Sequence, residues 1–357
     1  MKQISLNFPA KTKTCTIHIG KRIFERIGTL FDFHKYSKTF VITDQNIEPL
    51  FLKRIMKSLP IPNAFIVMVP GEKEKNIESV SKIWTAMHEA QCDRKSLVIN
   101  IGGGVVCDMG GFAASTYMRG VDFIHIPTTL LAQVDASIGG KTGIDFSGVK
   151  NLIGTFNQPV GVIIDTQTLA TLPKREFLSG FAEIIKHGLI KSEEYFELVT
   201  AKHPSKFTQS EMIDIVAKSI EIKTAIVQSD ETESNVRKLL NFGHTIGHAI
   251  EALGLESSTP LLHGEAISIG MLVEARISHL ANLLSISDLE KIEEALTTAE
   301  LPVSSTGINI DKVLKKIKSD KKNEKGKVNL TLLRGIGDAL YNQNVPEITI
   351  INALRKA

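Results

Sequence analysis

The stretch Ser96–Asp108, SLVINIGGGVVCD, decides the fold. Its first half is a short run dominated by Leu, Val and Ile, the mark of a strand buried on both faces in a mostly parallel sheet. Gly102, Gly103 and Gly104 end the run. Glycines at such an exit let backbone N–H groups approach a dinucleotide pyrophosphate, and the N-terminus of a following helix favours the anion. The pattern G-x-G-x-x-G is incomplete, because Cys107 stands at the third glycine position. Read alone, the stretch is equally a tight strand-to-helix turn without a ligand.

The same grammar repeats on either side. TFVITD (39–44), AFIVMV (64–69), DFIHIP (122–127) and VGVIID (160–165) are short apolar runs bounded by Gly, Pro or Asp. Between them, IEPLFLKRIMKSL (47–59) and NIESVSKIWTAMHEAQ (76–91) carry apolar residues at helical spacing. Repeated strand-then-helix order predicts an open α/β sheet. Upstream, ISLNF (4–8) and CTIHIG (15–20) are expected to pair as a hairpin across Pro9–Lys13. Beyond Leu172–Pro173 helical periods dominate, through 175–190, 212–227, 238–253, 264–284 and 289–296. A small hairpin is expected in 327–345, with Gly335 and Gly337 at its turn. The predicted architecture is therefore an α/β N-terminal domain over 1–172, with an open, mostly parallel dinucleotide-binding sheet. An all-α C-terminal domain over 173–357 follows it.

Bulk properties narrow the function. At 357 residues, 43% hydrophobic and 23% charged, the chain has the length of two soluble domains and ample core. A net charge of +3 is too mild to argue for nucleic acid or an anionic membrane. Cys15, Cys92 and Cys107 lie far apart, which excludes a disulfide framework and a cysteine zinc site. The N-terminal sequence lacks a signal-peptide core, and no apolar stretch is long enough to span a bilayer, so a cytosolic location is expected. The lysine-rich run 310–327 reads, on charge alone, as a solvated helix end and loop.

Two further constellations carry chemistry. Gly139, Gly140, Lys141 and Thr142 imitate the end of a P-loop, but Asp135 occupies the first glycine position and no strand leads in. What remains is a glycine turn presenting Lys141, with Lys150 and Asn151 soon after, suited to a phosphorylated or carboxylated substrate. The second is NFGHTIGHAIE (241–251), which sets His244 and His248 four residues apart on one helix face. His263 opens another apolar helix, and Glu183 interrupts an apolar face in SGFAEIIKHG (179–188), where an unpaired carboxylate is costly. One carboxylate and two or three histidines from separate helices form a reasonable zinc site with positions left open for substrate. His187, four residues after Glu183, is a rival ligand by spacing.

Taken together, residues 101–120, 126–145, 150–173, 179–188, 241–251 and 261–271 resemble the 3-dehydroquinate synthase family of sugar-phosphate cyclases. GEKEKNIES (71–79) and SDKKNEKGK (319–327) extend the resemblance over nearly the whole chain, in the family's order. Cys107 stands where the family usually has glycine, and Asn157 where an aromatic is common.

The resemblance implies a site residue by residue. Glu183, His244 and His263 would hold one divalent metal, zinc or cobalt, with His248 beside them contacting substrate or handling protons. NAD would be bound by Asp44; by Gly71, Glu72, Lys73, Glu74 and Lys75; and by Gly104, Val105, Val106, Cys107 and Asp108. Thr128 and Thr129, and the stretch Thr168, Leu169, Ala170 and Thr171, would complete the cofactor site. Lys141 and Lys150 would sit where cofactor and substrate meet. Asp135, Asn151, Lys186, Lys223, Arg237, Asn241 and one of Lys321 or Lys322 would contact substrate. Arg119 would reach the substrate phosphate, across the interface of a homodimer. Arg237 and Asn241 precede His244 at helical spacing, so one helix is expected to present all three.

The implied reaction oxidises a ring hydroxyl of 3-deoxy-D-arabino-heptulosonate 7-phosphate with NAD, eliminates phosphate and re-reduces the ketone. Ring opening and an intramolecular aldol step then close the carbocycle, the second step of the shikimate pathway. The competing readings are another sugar-phosphate cyclase, a metal-dependent polyol dehydrogenase of similar plan, and a non-catalytic protein that keeps the fold.

Overall fold

The structure, a computed structural model, describes residues 14–254, 260–304, 309–318 and 328–355. Six strands build the main sheet: β1 (Thr16–Gly20), β2 (Lys38–Asp44), β3 (Asn63–Met68), β4 (Ser96–Gly102), β5 (Asp122–Pro127) and β8 (Gly161–Asp165). They lie in the order β1-β8-β5-β4-β2-β3, and every pairing is parallel. β4 is buried at every position, which is why its sequence does not alternate. The helices α1 (Ile27–Leu30), α2 (Lys53–Ser58), α3 (Ile77–Glu89) and α4 (Gly104–Thr116) connect these strands. One face of the sheet buries Phe40, Ile42 and Val98 against Ile83, Met109 and Phe112 of α3 and α4. The other buries Val41, Ile99 and Ile124 against Phe24, Ile27 and Ile55.

The strand order fixes where a ligand fits. From β2 the chain moves outward to β3, then returns across β2 to β4 and continues to β5 on the other side. The carboxyl ends of β2 and β4 thus flank a topological switch point, the crevice where open α/β sheets bind ligands. Asp44 and Gly102 are the last residues of those two strands.

Two findings depart from expectation at the sheet. CTIHIG does form a strand, but as the edge strand β1 running parallel to β8; ISLNF lies outside the described residues. The glycine-rich region after Gly140 is an antiparallel hairpin, β6 (Lys141–Phe146) and β7 (Val149–Phe156), rather than a loop. Gly143 and Gly154 face each other in it, and a Cβ on Gly154 would lie 2.2 Å from Thr142 O. Glycine is what lets these two backbones approach, and it also removes the strand signal from the sequence.

The C-terminal half is helical: α5 (Lys174–Lys191), α6 (Glu193–Thr200), α7 (Gln209–Ser229), α8 (His244–Gly254), α9 (His263–Leu280), α10 (Ile286–Thr298), α11 (Ile310–Lys318) and α12 (Glu347–Leu354). β9 (Leu330–Gly335) and β10 (Asp338–Gln343) form the expected hairpin, with Gly337 at φ +86° in its turn. One apolar cluster joins Val162 and Ile164 of β8 to Phe181 and Ile185 of α5 and Met271 of α9. α5 and α9, which carry Glu183 and His263, thus share one apolar core with strand β8 of the sheet.

Candidate active site

Glu183 and Lys186 lie on α5, and both are essentially inaccessible to solvent. His244 is the first residue of α8 and His263 the first of α9. Glu183 Oε1 stands 3.9 Å from His244 Nε2 and 3.8 Å from His263 Nε2. The rings of His244 and His248 are centred 4.9 Å apart, and donor atoms of His244, His248 and His263 lie within 4.8 Å of one another. The three helices thus bring Glu183, His244 and His263 together, and His248 belongs to the same histidine cluster.

Local backbone chemistry explains this convergence. Gly243 adopts φ +79°, so the 3-10 turn Val236–Asn241 is not continuous with α8. Arg237 and Asn241 therefore approach from a separate turn, not from the helix that carries His244 as expected. The opening N–H groups after this break need acceptors. Buried Glu274, from α9, takes Gly243 N at 2.8 Å and Ile246 N at 3.3 Å. At the start of α9, Glu265 accepts from Leu262 N at 2.7 Å and is held by Arg175 in two bonds of 2.6 Å. The Nδ1 of His244 is 3.1 Å from Phe242 O, so that nitrogen donates and Nε2 keeps its lone pair for a cation.

A divalent cation fits these residues. Glu183 forms an ion pair with Lys186, but neither of its buried oxygens accepts a hydrogen bond from the described residues. A carboxylate in that condition facing two imidazole nitrogens has the donor chemistry of zinc and cobalt sites. Glu183 also lies within 4.8 Å of donor atoms on Asp135 and His187. His187 Nδ1 is 2.7 Å from Ser219 Oγ, and burial, reinforced by Lys186 and Lys223, depresses its pKa far below the ordinary value. The rival ligand is a neutral imidazole that with Asp135 and Glu183 forms a second set of converging donor atoms.

Cations surround this centre, each already paired. Lys223 meets Asp135, whose carboxyl is held well below its usual range by Lys223 and Lys186 despite burial. Lys141 pairs with Glu233, which also accepts from Asn241 Nδ2 at 2.7 Å. Arg237 donates to Gly139 O at 3.0 Å and so braces the turn before Lys141. Glu233 and Glu251 were missed in the sequence, where each reads as an ordinary surface carboxylate. Glu251 is buried beside His263, and both His263 and Lys150 hold it well below the usual carboxylate range against its own burial.

The cofactor residues cluster at the switch point in part. Lys75 Nζ donates to Asp108 Oδ2 and Asn151 Oδ1, both at 2.6 Å. Burial opposes the Lys75 ammonium, but Asp108 and Glu72 outweigh it and raise its pKa. Gly71, at φ +113°, leads into the turn containing Glu72, Lys73 and Glu74. Val105, Val106 and Cys107 turn their side chains into the protein, so backbone N–H groups are what α4 offers at Gly104. Thr129 abuts this turn, 3.2 Å from where a Cβ on Gly103 would stand. Asp44 accepts from Asn46 N at 2.9 Å and Ile47 N at 3.1 Å, capping the turn after β2. Buried Thr128 lies next to Thr129. Thr168 serves the fold: its hydroxyl donates to Asp165 O at 2.9 Å and accepts from Gln133 Nε2 at 3.0 Å. Leu169 packs on the core, Ala170 follows it, and Thr171 donates to Thr168 O at 3.0 Å.

Arg119 is not brought to this centre within one chain. It lies exposed at φ +70° beyond the C-terminus of α4, about 20 Å from Gly104 by helix length. Lys321 and Lys322 lie outside the described residues. Among the described residues no helix is long and apolar enough to cross a membrane.

Comparison with known proteins identifies the family. Residues 65–179 match the 3-dehydroquinate synthase N-terminal family and residues 180–323 the 3-dehydroquinate synthase C-terminal family. The chain is 43% identical over 321 residues to the 3-dehydroquinate synthase of Ruminiclostridium cellulolyticum, covering 88% of this chain and 89% of that one. It is 41% identical over 354 residues to that of Prochlorococcus marinus, covering 96% of each. Among solved structures it is similar to 2-epi-5-epi-valiolone synthase from Streptomyces hygroscopicus subsp. jinggangensis, described with NAD+ and Zn2+ bound. That likeness has a TM-score of 0.89 at 28% identity and covers 99% of both chains. With family matches across both halves and such identity over nearly the full length, the chain belongs to the 3-dehydroquinate synthase family.

Proposed function

We propose that the chain is a 3-dehydroquinate synthase, a carbon–oxygen lyase of the shikimate pathway. It converts 3-deoxy-D-arabino-heptulosonate 7-phosphate into 3-dehydroquinate and phosphate with NAD and one divalent cation, zinc or cobalt. The observation that carries this reading is the approach of Glu183 Oε1 to His244 and His263, at 3.9 and 3.8 Å, from three separate helices. The NAD+ and Zn2+ of the valiolone synthase, similar over the whole chain, support the cofactor pair.

Bound NAD supplies a reversible hydride acceptor, and a bound cation supplies Lewis acidity at a substrate hydroxyl. Glu183, His244 and His263 hold the cation, and the α4 N-terminus with the Gly71–Lys75 turn receives the dinucleotide. Lys141, Lys150, Lys186, Lys223 and Arg237 bind a substrate bearing phosphate and carboxylate, although the protein as a whole is nearly neutral. Asp135 orients Lys223, and Asn151 orients Lys75. Glu233, held between Lys141 and Asn241, and His248, beside His244 and His263, are the proton-accepting groups. The enzyme acts in the cytoplasm as a homodimer, with Arg119 offered to the partner's site. β7 supports the dimer: Val149, Leu152, Ile153 and Phe156 are exposed along it, and one of its edges is unpaired among the described residues.

The test is release of phosphate from the heptulosonate phosphate, with and without NAD, after chelation and metal readdition. Activity requiring both, without accumulation of NADH, is expected, and Lys141→Ala and His263→Ala should abolish it. Net NADH production would identify a polyol dehydrogenase instead. Wild-type rates in either variant would overturn the site.

A further inference from the structure

Glu251 follows His248 on α8 and is almost completely buried, yet it belongs to neither the ligand set nor the substrate contacts. Its two oxygens face different partners. Oε2 stands 3.6 Å from His263 Nδ1, and Oε1 accepts from Lys150 Nζ at 2.8 Å. Lys150 comes from β7, in the other half of the chain, and its ammonium is also 3.7 Å from Glu72 Oε1. Glu72 opens the turn after Gly71, in the stretch that receives the dinucleotide. An unbroken series, Glu72, Lys150, Glu251 and His263, therefore runs from the dinucleotide turn to a metal-facing imidazole.

Each contact has a physical consequence. An imidazole that ligates through Nε2 carries its proton on Nδ1, and a carboxylate there fixes the ring and raises its basicity. A buried carboxylate is itself confined by whatever holds its other oxygen, here Lys150. Lys150 is in turn held near Glu72, whose turn a bound dinucleotide would brace further.

We propose that Glu251 is a positioning residue for the metal, and that Lys150 ties it to the dinucleotide turn, so that NAD and the divalent cation bind with positive cooperativity. The inference rests on the site assignment of the proposed function. Order imposed by the first ligand need not be supplied by the second, and the coupling is reciprocal.

The test uses the full chain stripped of metal. Zn2+ is titrated against a chromophoric chelator with and without saturating NAD, and NAD binding is measured by calorimetry with and without Zn2+. In the wild type, each ligand should lower the Kd of the other by the same factor, about fivefold or more. Glu251→Gln should weaken Zn2+ about 10–100-fold and shift the visible bands of the Co2+ form. Glu251→Asp, which keeps the charge, should weaken it less. Lys150→Gln, which removes the tie between Glu251 and the dinucleotide turn, should bring the coupling factor close to one. Wild-type Zn2+ affinity in Glu251→Gln, full coupling in Lys150→Gln, or wild-type protein that binds both ligands independently would overturn the inference alone. Wild-type protein that binds neither would overturn the proposed function with it.

Discussion

Replacing Gly264 by alanine should cost the protein its metal before it costs the fold. Gly264 follows His263 at the start of α9 and rests on the backbone of α5, one turn before Glu183. A Cβ at 264 would lie 1.8 Å from Ser179 O, 2.5 Å from its carbonyl carbon and 2.7 Å from its Cα. Cβ contacts do not fall below 3.0 Å, and 3.0 less 1.8 leaves the helices at least 1.2 Å to separate. The obstacle is backbone, so no rotamer relieves it. Overpacking of this kind destabilises by about 1–3 kcal/mol, which a domain of this size tolerates. Metal–ligand distances tolerate only about 0.2 Å. The same shift lengthens the 3.0 Å bond from Gly264 N to Ser179 Oγ, which aligns the start of α9. Zn2+ affinity, measured by chelator competition, should fall by about 10-fold or more. Urea unfolding of both proteins in chelator should differ by no more than the overpacking term. A folded Gly264→Ala protein with wild-type Zn2+ affinity would refute the idea that the α5–α9 contact sets the ligand geometry.

Two further outcomes are expected. His125 is buried on β5 and its pKa is depressed to about 3 by burial, while in the unfolded chain it titrates near its ordinary value of 6.5. The unfolded state therefore binds the extra proton between these values, and stability falls as pH drops through that window. Between pH 7.5 and 5.5 the wild type should lose about 1.4 kcal/mol more than His125→Gln in urea unfolding, and parallel curves would contradict the assignment. Leu152→Lys with Phe156→Lys on β7 should convert a dimer into monomers by light scattering at micromolar concentration. An undisturbed dimer, or a monomeric wild type, would remove β7 from the interface.

The sheet was legible because parallel strands buried on both faces must be apolar throughout, as in β4. Glu183 was legible because a carboxylate on an apolar helix face needs a partner, and Lys186 with the two histidines provides it. The β6–β7 hairpin was not, since Gly143 and Gly154 trade strand-forming side chains for close backbone approach. Nor was the break before His244, where one glycine at φ +79° turns apparent helical spacing into two separate elements. Glu251, Glu265 and Glu274 look alike in sequence, as acids on helices. Only the packing of α8 and α9 distinguishes the one beside His263 from the two that fix helix starts.

That both histidine-bearing helices begin at their ligand has an electrostatic consequence. A helix start carries roughly half a unit of positive charge, so a dication at two such starts meets repulsion approaching one full unit. Glu274 and Glu265, bonded to the opening amides of α8 and α9, answer those charges where they arise. The macrodipoles are thereby met from behind, and a divalent cation held by His244 and His263 would face less repulsion from the two helix starts.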